Sequence, residues 1–306
     1  MTPLRRVIAI VGPTASGKTA LALQLSTRFS MEVVSADARQ VFRYLDVGTA
    51  KPTAKERSQC IHHCIDIVEP NESYSAAEYA RDARICINSI PPTVTPVVVG
   101  GSGLYVRAAL DGFSHDLVPP EPSVREGLQE RLLIEGRDAL FEELQRVDPR
   151  AATRYADRNP VRVIRALEFF VITGRTFSST WDTEIVPPPY SVQYVGIRQE
   201  RDQLYDSINS RCVLMWNGGL LEETAAVLEM GVAPTSQSLQ TVGYTEAMAY
   251  LRGSMNQEQA IEHMQRATRN YAKRQLTWFR RDDRVTWFEG SAEQLAVSVG
   301  RHLGIA

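Results

Sequence analysis

The segment Gly12-Pro13-Thr14-Ala15-Ser16-Gly17-Lys18-Thr19 matches the pattern G-x-x-x-x-G-K-[ST]. Its chemistry is phosphate binding. Glycines let the backbone curl until successive N–H groups point inward at phosphate oxygens. The helix expected to open at the end of the motif adds the positive end of its dipole. Lys18 brings a full charge to the terminal phosphates, and the Thr19 hydroxyl is the group that would hold a magnesium ion. The pattern specifies a polyphosphate and does not distinguish ATP from another diphosphate ester. Asp37, in Ser35-Ala36-Asp37-Ala38-Arg39-Gln40, is the second reactive group. It closes an apolar run one unit after the phosphate loop. There it would either hold magnesium through water, as in a nucleotide kinase, or accept a proton as a general base. The alternative is a carboxylate that only caps a loop. Arg39 and Gln40 offer further hydrogen bonds to a polar ligand.

Two basic clusters point to a polyanion. Between residues 263 and 281 stand Arg266, Arg269, Lys273, Arg274, Arg280 and Arg281, with no acidic residue and with Tyr271, Trp278 and Phe279 interleaved. Arg266, Arg269 and Lys273 share one helix face by their spacing. Arg150, Arg154, Arg158, Arg162 and Arg165 form the second cluster. Both read as phosphate-binding footprints, against the alternative of a solvated helix face.

The elements that must position these groups alternate over the first hundred residues. Apolar runs at residues 7–11, 32–37 and 96–101 are expected strands. Helical spacing fills residues 19–29, 75–90 and 104–110. Val/Ile runs between helices imply a parallel sheet covered on both faces. After Gly112 the pattern changes. Leu117-Val118-Pro119-Pro120-Glu121-Pro122 reads as a linker, and residues 124–173 show helical periodicity without a strand. Asn159-Pro160 is a helix start and Gly174 a stop. Residues 193–197 form one more strand, with helices dominating afterwards. The expected fold is α/β, a phosphate-loop-type parallel sheet with helices on both faces, comprising residues 1–114 and 186–306. A mostly helical insertion domain, residues 115–185, interrupts it.

Taken in order, the phosphate loop, Ser35-Ala36-Asp37-Ala38-Arg39-Gln40-Val41-Phe42 and Asp46-Val47-Gly48-Thr49-Ala50-Lys51-Pro52 resemble the tRNA dimethylallyltransferase family. So do His62-His63-Cys64-Ile65-Asp66-Ile67, Gly100-Gly101-Ser102-Gly103-Leu104-Tyr105 and Arg162-Val163-Ile164-Arg165-Ala166-Leu167-Glu168. Val242-Gly243-Tyr244 and Ala272-Lys273-Arg274-Gln275-Leu276-Thr277-Trp278-Phe279 complete a series that covers nearly the whole chain. The resemblance implies transfer of a dimethylallyl group from dimethylallyl diphosphate to the exocyclic amine of the adenosine 3′ of a tRNA anticodon. It implies that the loop takes the diphosphate rather than ATP, that magnesium is required, and that the insertion grips the anticodon stem-loop. It makes Asp37 the base and Arg211 a second cation on the diphosphate, the alternative for Arg211 being a surface residue on a helix. Ser102 stands where the family has a threonine and keeps its hydroxyl. Ala38 and Phe42 stand where the family usually has serine and tyrosine, so only backbone contacts carry over at Ala38. By the same resemblance tRNA is touched by Asp37, Ala38, Arg39, Gln40, Ser102 and Arg125, by Val161, Arg162, Val163, Ile164 and Arg165, by Leu239, Gln240, Thr241, Val242, Gly243 and Tyr244, and by Lys273 and Arg274.

The remaining composition bounds the setting. The chain has 306 residues, a formal charge of −2 and 43% hydrophobic residues, which excludes a polyelectrolyte or a fibre. No apolar run reaches the ~18 residues of a membrane span, and residues 7–11 are too short for a signal peptide. The four cysteines are too few for a disulfide framework, so a reducing cytoplasm is expected. A monomer is expected as well. Cys60-Ile61-His62-His63-Cys64 is too compressed for a zinc site. The chain ends soon after Trp287, which fits the bacterial type without a C-terminal zinc finger. Competing readings are a small-metabolite kinase, an RNA-binding regulator that senses a nucleotide, and an adenylate prenyltransferase acting on AMP.

Overall fold

The computed structural model describes residues 4–112, 121–183 and 185–305. The chain divides into two compact units, Met1–Gly112 with Pro187–Ala306, and Phe113–Val186. The linker expected at residues 117–122 lies outside the described residues except for Glu121 and Pro122.

In the larger unit the order is β1 (Arg5–Val11), α1 (Lys18–Ser26), β2 (Met31–Ser35), α2 (Ala54–Gln59), β3 (His62–His63), α3 (Ala76–Ser89), β4 (Thr95–Gly100) and α4 (Gly103–Leu110). The smaller unit contains α5 (Pro122–Val147), α6 (Pro149–Arg154), α7 (Pro160–Thr173) and a 3₁₀ turn, Phe177–Asp182. The larger unit resumes with β5 (Tyr190–Ile197), α8 (Arg201–Met215), a π turn at Trp216–Leu220, α9 (Leu221–Glu229), α10 (Tyr244–Leu251), α11 (Gln257–Phe279), β6 (Val285–Phe288) and α12 (Ala292–His302).

The strands form one parallel sheet in the order β3-β2-β4-β1-β5-β6. β1 is apolar on both faces because both are covered. Val7, Ala9 and Val11 enter one core, and Ile8 and Ile10 enter the other. Fully burying a side chain of this size contributes about 1.5–3 kcal/mol, so the middle strands are the rigid part of the unit. Val11 is level with Gly100, and Ser35 with Val99. The register therefore brings the carboxyl ends of β1, β2 and β4 side by side, where ligands of such sheets bind.

The two-residue strand β3 and the strand β6 are additions to the sequence reading. His62 and His63 are too few for a periodicity to register. Val285–Phe288 carries two aromatic residues on an edge strand that, among the described residues, pairs only with β5. The smaller unit has its own core, in which Leu140, Leu144, Val163, Ala166 and Leu167 pack together. The expected start of α7 is present, with Asn159 Oδ1 accepting from the N–H groups of Val161 and Arg162. Gly174 ends that helix in the left-handed conformation, at φ 69°.

Candidate active site

The phosphate loop turns between β1 and α1. Gly12 has φ 149°, and a Cβ there would stand 2.5 Å from the Ile197 carbonyl oxygen. Gly17 has φ 88° and precedes α1 as its N-cap. The Thr14 N–H donates to Gln275 Oε1 at 2.8 Å, and Gln275 Nε2 donates to the Gly101 carbonyl at 3.0 Å. One buried amide from α11 thus fastens the phosphate loop to the turn after β4. Lys18 Nζ donates to the Pro13 carbonyl at 2.6 Å. Although the residue as a whole is half-buried, its ammonium group is enclosed. Burial lowers its pKa to about 8, against the raising effect of the Asp37 charge.

A cavity of about 380 Å³ opens over this loop. It is lined by residues 14–19, Asp37, Gln40, Lys51, Gly101, Arg211 and Gln275 among others. A second cavity of about 260 Å³ adjoins it. Its lining includes Ile208, Cys212, Met215, Met264, Thr268 and Tyr271. Thr14, Ala15, Asp37, Thr49 and Arg211 line both, so the carboxylate stands where a polar chamber meets a more apolar one. Asp37 Oδ1 accepts from the Arg39 N–H at 2.9 Å, which holds the carboxylate at the end of β2. Arg211 feels two opposed effects. Burial lowers its pKa, and the Asp37 charge raises it.

Ser102 caps the β4 end of the site. Its Oγ accepts from the Ala38 N–H at 3.0 Å, and its own N–H donates to the Ala36 carbonyl at 3.2 Å. The Ala38 N–H is therefore taken up within the chain, and Phe42 is fully buried, where a hydroxyl would gain nothing from solvent. Gln40 Nε2 donates to the carbonyls of Thr49 and Ala50 at 3.2 and 3.1 Å. Arg39 Nη1 donates to the Gln237 carbonyl at 2.7 Å.

The Asp46-Val47-Gly48 turn is held by one carboxylate. Glu223 accepts from the N–H groups of Asp46 at 2.7 Å, Val47 at 2.8 Å and Gly48 at 3.1 Å. The Tyr244 hydroxyl donates to the same carboxylate at 2.5 Å. Gly48 is required there, since a Cβ would lie 2.5 Å from the Tyr244 ring. Lys51, whose side chain is buried, bonds Asp46 at 2.7 Å and Asp66 at 2.5 Å.

Several residues expected to touch RNA have another place. Leu239 and Tyr244 are fully buried in the core of the larger unit, so their side chains pack rather than contact a ligand. Gly243 turns the chain at φ 99° with Met264 against it. Gln240, Thr241 and Val242, between them, line the second cavity. In the smaller unit Val163 and Ile164 belong to its core, because they occupy the inner face of α7. Val161 is 77% exposed. Arg125 and Arg165 both bond the buried Glu168, at 2.8 and 2.7 Å. Arg150 pairs with Asp182, Arg158 with Asp138 and Arg162 with Asp157, so the second basic cluster is largely balanced by carboxylates. On α11, Lys273 and Arg274 are exposed, and Arg274 lines the second cavity. Arg269 instead bonds Asn209 at 2.6 Å.

The sequence reading gave no role at the site to Gln275, Tyr271, Met264 or Glu223, although Tyr271 and Gln275 stand in stretches it quoted. A signal for the first three existed. Met264, Thr268, Tyr271 and Gln275 recur at helical spacing along one face of α11, the face turned to the site.

These observations define a parallel α/β protein with a cavity over a phosphate-loop motif and an adjoining, more apolar one, with one carboxylate lining both. The family description IPP transferase matches residues 40–282, and the description Isopentenyl transferase matches residues 5–66. A tRNA dimethylallyltransferase of Thermomicrobium roseum is 42% identical over 308 residues, covering 99% of this chain and 93% of that protein. The full-length tRNA isopentenylpyrophosphate transferase of Bacillus halodurans superposes with a TM-score of 0.72 at 38% identity, covering 98% of this chain and 96% of that one. The corresponding transferase of Staphylococcus epidermidis gives 0.70 at 32% identity, covering 98% and 99%. The chain belongs to the tRNA dimethylallyltransferase family.

Proposed function

We propose that this chain transfers a dimethylallyl group from dimethylallyl diphosphate to the exocyclic amine of the adenosine 3′-adjacent to the anticodon of tRNA, releasing diphosphate. The observation that carries the reading is the position of Asp37 between the two cavities. The diphosphate lies against residues 12–19, and the five-carbon group enters the chamber lined by Ile208, Met215 and Met264. An allylic carbon–oxygen bond breaks readily once its leaving group is neutralised. Lys18, Arg211 and the N–H groups of the loop are placed to stabilise that charge. The adenine amine is a weak nucleophile, because its lone pair is delocalised into the ring. Asp37 accepts its proton as the carbon–nitrogen bond forms. The adenosine has to leave its stack to reach this depth, as in other enzymes that act on a base.

The residues fit a magnesium ion. The Ser16 Oγ is buried without a protein partner, Thr19 lines the phosphate cavity, and magnesium takes hard oxygen donors shared with substrate phosphates. Bound there by Thr19, the ion would supply Lewis-acid neutralisation of the leaving diphosphate. The reading takes the protein as a monomer. Among the described residues no helix is long and apolar enough to cross a membrane, and the cytoplasm is the expected location for a tRNA-modifying activity.

The experiment mixes the protein with magnesium, labelled dimethylallyl diphosphate and either tRNA or AMP. Label in tRNA alone supports the reading. Label in AMP, ATP turnover without prenyl transfer, or RNA binding without any transfer would each replace it.

A further inference from the structure

At the β3 edge of the sheet lies a group of reactive side chains that the proposed reaction does not use. Cys64 follows β3, and Cys86 is on α3, which covers that edge. Their Sγ atoms are 4.0 Å apart. Both thiols are free, Cys64 being buried and Cys86 half-buried. His63 sits beside them and bonds Glu32 Oε2 on β2 at 2.7 Å. The pairing of Val34 with His63 in the sheet places Glu32 and His63 on one face.

We propose that Cys64 and Cys86 form a peroxide-reactive dithiol that closes to a reversible disulfide. Cys86 is the attacking sulfur. The Cys64 S–H points at it at 4.0 Å, and with the positive charge of the neighbouring His63 imidazolium this holds its pKa below the usual thiol range. His63 is in turn kept protonated to about pH 9, by Cys86 first and then by Glu32, against its burial. The groups that oppose the thiolate are few. Asp82 stands one turn away on α3, but its carboxylate accepts from Tyr74 at 2.8 Å and from Arg81 at 2.9 Å. Cys64 titrates well above the usual range, through its bond to Cys86 and its burial. One sulfur is therefore a thiolate and the other remains a thiol, which is the division of labour that peroxide chemistry needs.

The Cys86 thiolate attacks one oxygen of the peroxide. A sulfur–oxygen bond forms, the oxygen–oxygen bond breaks, and the departing oxyanion takes the His63 proton. The Cys64 sulfur then displaces hydroxide from the sulfenic acid. A sulfur–sulfur bond forms, and the hydroxide leaves as water with the Cys64 proton. The two sulfurs lose two electrons, and the peroxide is reduced to an alcohol or water. Closure has to bring the sulfurs from 4.0 Å to the ~2.05 Å of a disulfide, and an external thiol reverses it by exchange.

The test titrates thiols in the denatured protein after treatment with one equivalent of hydrogen peroxide. Four cysteines are present. The titre is expected to fall by half, with a peptide linking Cys64 to Cys86 in the unreduced digest, and dithiothreitol is expected to restore it. Cys86→Ser should abolish the loss, while Cys64→Ser should leave a sulfenic acid on residue 86 that dimedone traps. Alkylation of Cys86 by iodoacetamide should be nearly constant from about pH 6 to 8, where an ordinary thiol accelerates about a hundredfold. His63→Ala should restore that rise. A full titre after peroxide, a linked peptide containing Cys60 or Cys212, or an alkylation rate that climbs with pH in the unaltered protein would each overturn the assignment.

Discussion

At the scale of single residues the site works by opposed charges held close together. Asp37 is fixed by one backbone hydrogen bond and lies between two cavities. Asp37→Asn keeps the shape and removes the base. Its expected effect is a loss of about 10²–10⁴ in single-turnover rate with labelled donor, while filter binding of tRNA is unchanged. A variant with near-normal turnover would remove Asp37 from the chemistry. Lys18 gives the second prediction. In the free protein burial brings its pKa to about 8. A bound diphosphate favours the charged form and raises that pKa again. Below pH 8 the ammonium is already charged, and binding needs no proton. Above it, binding has to take one up. Diphosphate affinity should therefore decline as pH rises through about 8. Calorimetry in buffers of different ionisation enthalpy should record proton uptake there. No uptake at alkaline pH would mean that Lys18 does not change state on binding.

At the scale of elements the site is braced from behind by helices late in the chain. Gln275 on α11 joins the phosphate loop to the turn after β4. Glu223 on α9 gathers three backbone N–H groups of residues 46–48 and the Tyr244 hydroxyl. Replacing it leaves these donors without an acceptor in a part-buried place. Glu223→Ala is expected to cost about 2–4 kcal/mol, read as a lowered midpoint in urea unfolding. Tyr244→Phe loses one bond and should cost about 1 kcal/mol. Equal midpoints for Glu223→Ala and the unaltered protein would show that water replaces the carboxylate. These braces were hard to read from sequence. A glutamate in Leu221-Glu222-Glu223-Thr224 looks like any exposed helical acid, and only its distance from residues 46–48 in the folded chain gives it a role. Asp37 and Lys18 were legible because their partners are near in sequence and their spacing is imposed by backbone geometry.

At the scale of the molecule the near-neutral charge hides an uneven distribution. The arginines of the smaller unit are largely matched by Asp138, Asp157, Glu168 and Asp182. The acid-free stretch of α11 keeps Lys273 and Arg274 exposed. Binding of tRNA should weaken steeply with salt, as phosphate contacts release counterions. Lys273→Ala should lower the slope of log K against log salt by about one. Arg158→Ala, whose partner is Asp138, should lower it by less. A flat response between low and physiological salt would contradict the electrostatic reading, and equal slopes for the two variants would contradict the distinction drawn between them.

The sequence alone determined the parallel sheet, the phosphate loop, the carboxylate at the end of the second strand and the family. All of these follow from short-range rules. Strand hydrophobicity has its own period, the loop pattern is eight consecutive residues, and the family motifs recur in order along the chain. Only the tertiary structure decided which residues of a motif face the ligand. Leu239 and Tyr244 turn into the core while Gln240 to Val242 line a cavity, and Val163 and Ile164 turn inward on α7. It also joined Glu223 to residues 46–48, Gln275 to the phosphate loop, and Cys64 to Cys86. Contacts between residues far apart in the chain depend on register and packing, and no local pattern of residue types carries that information.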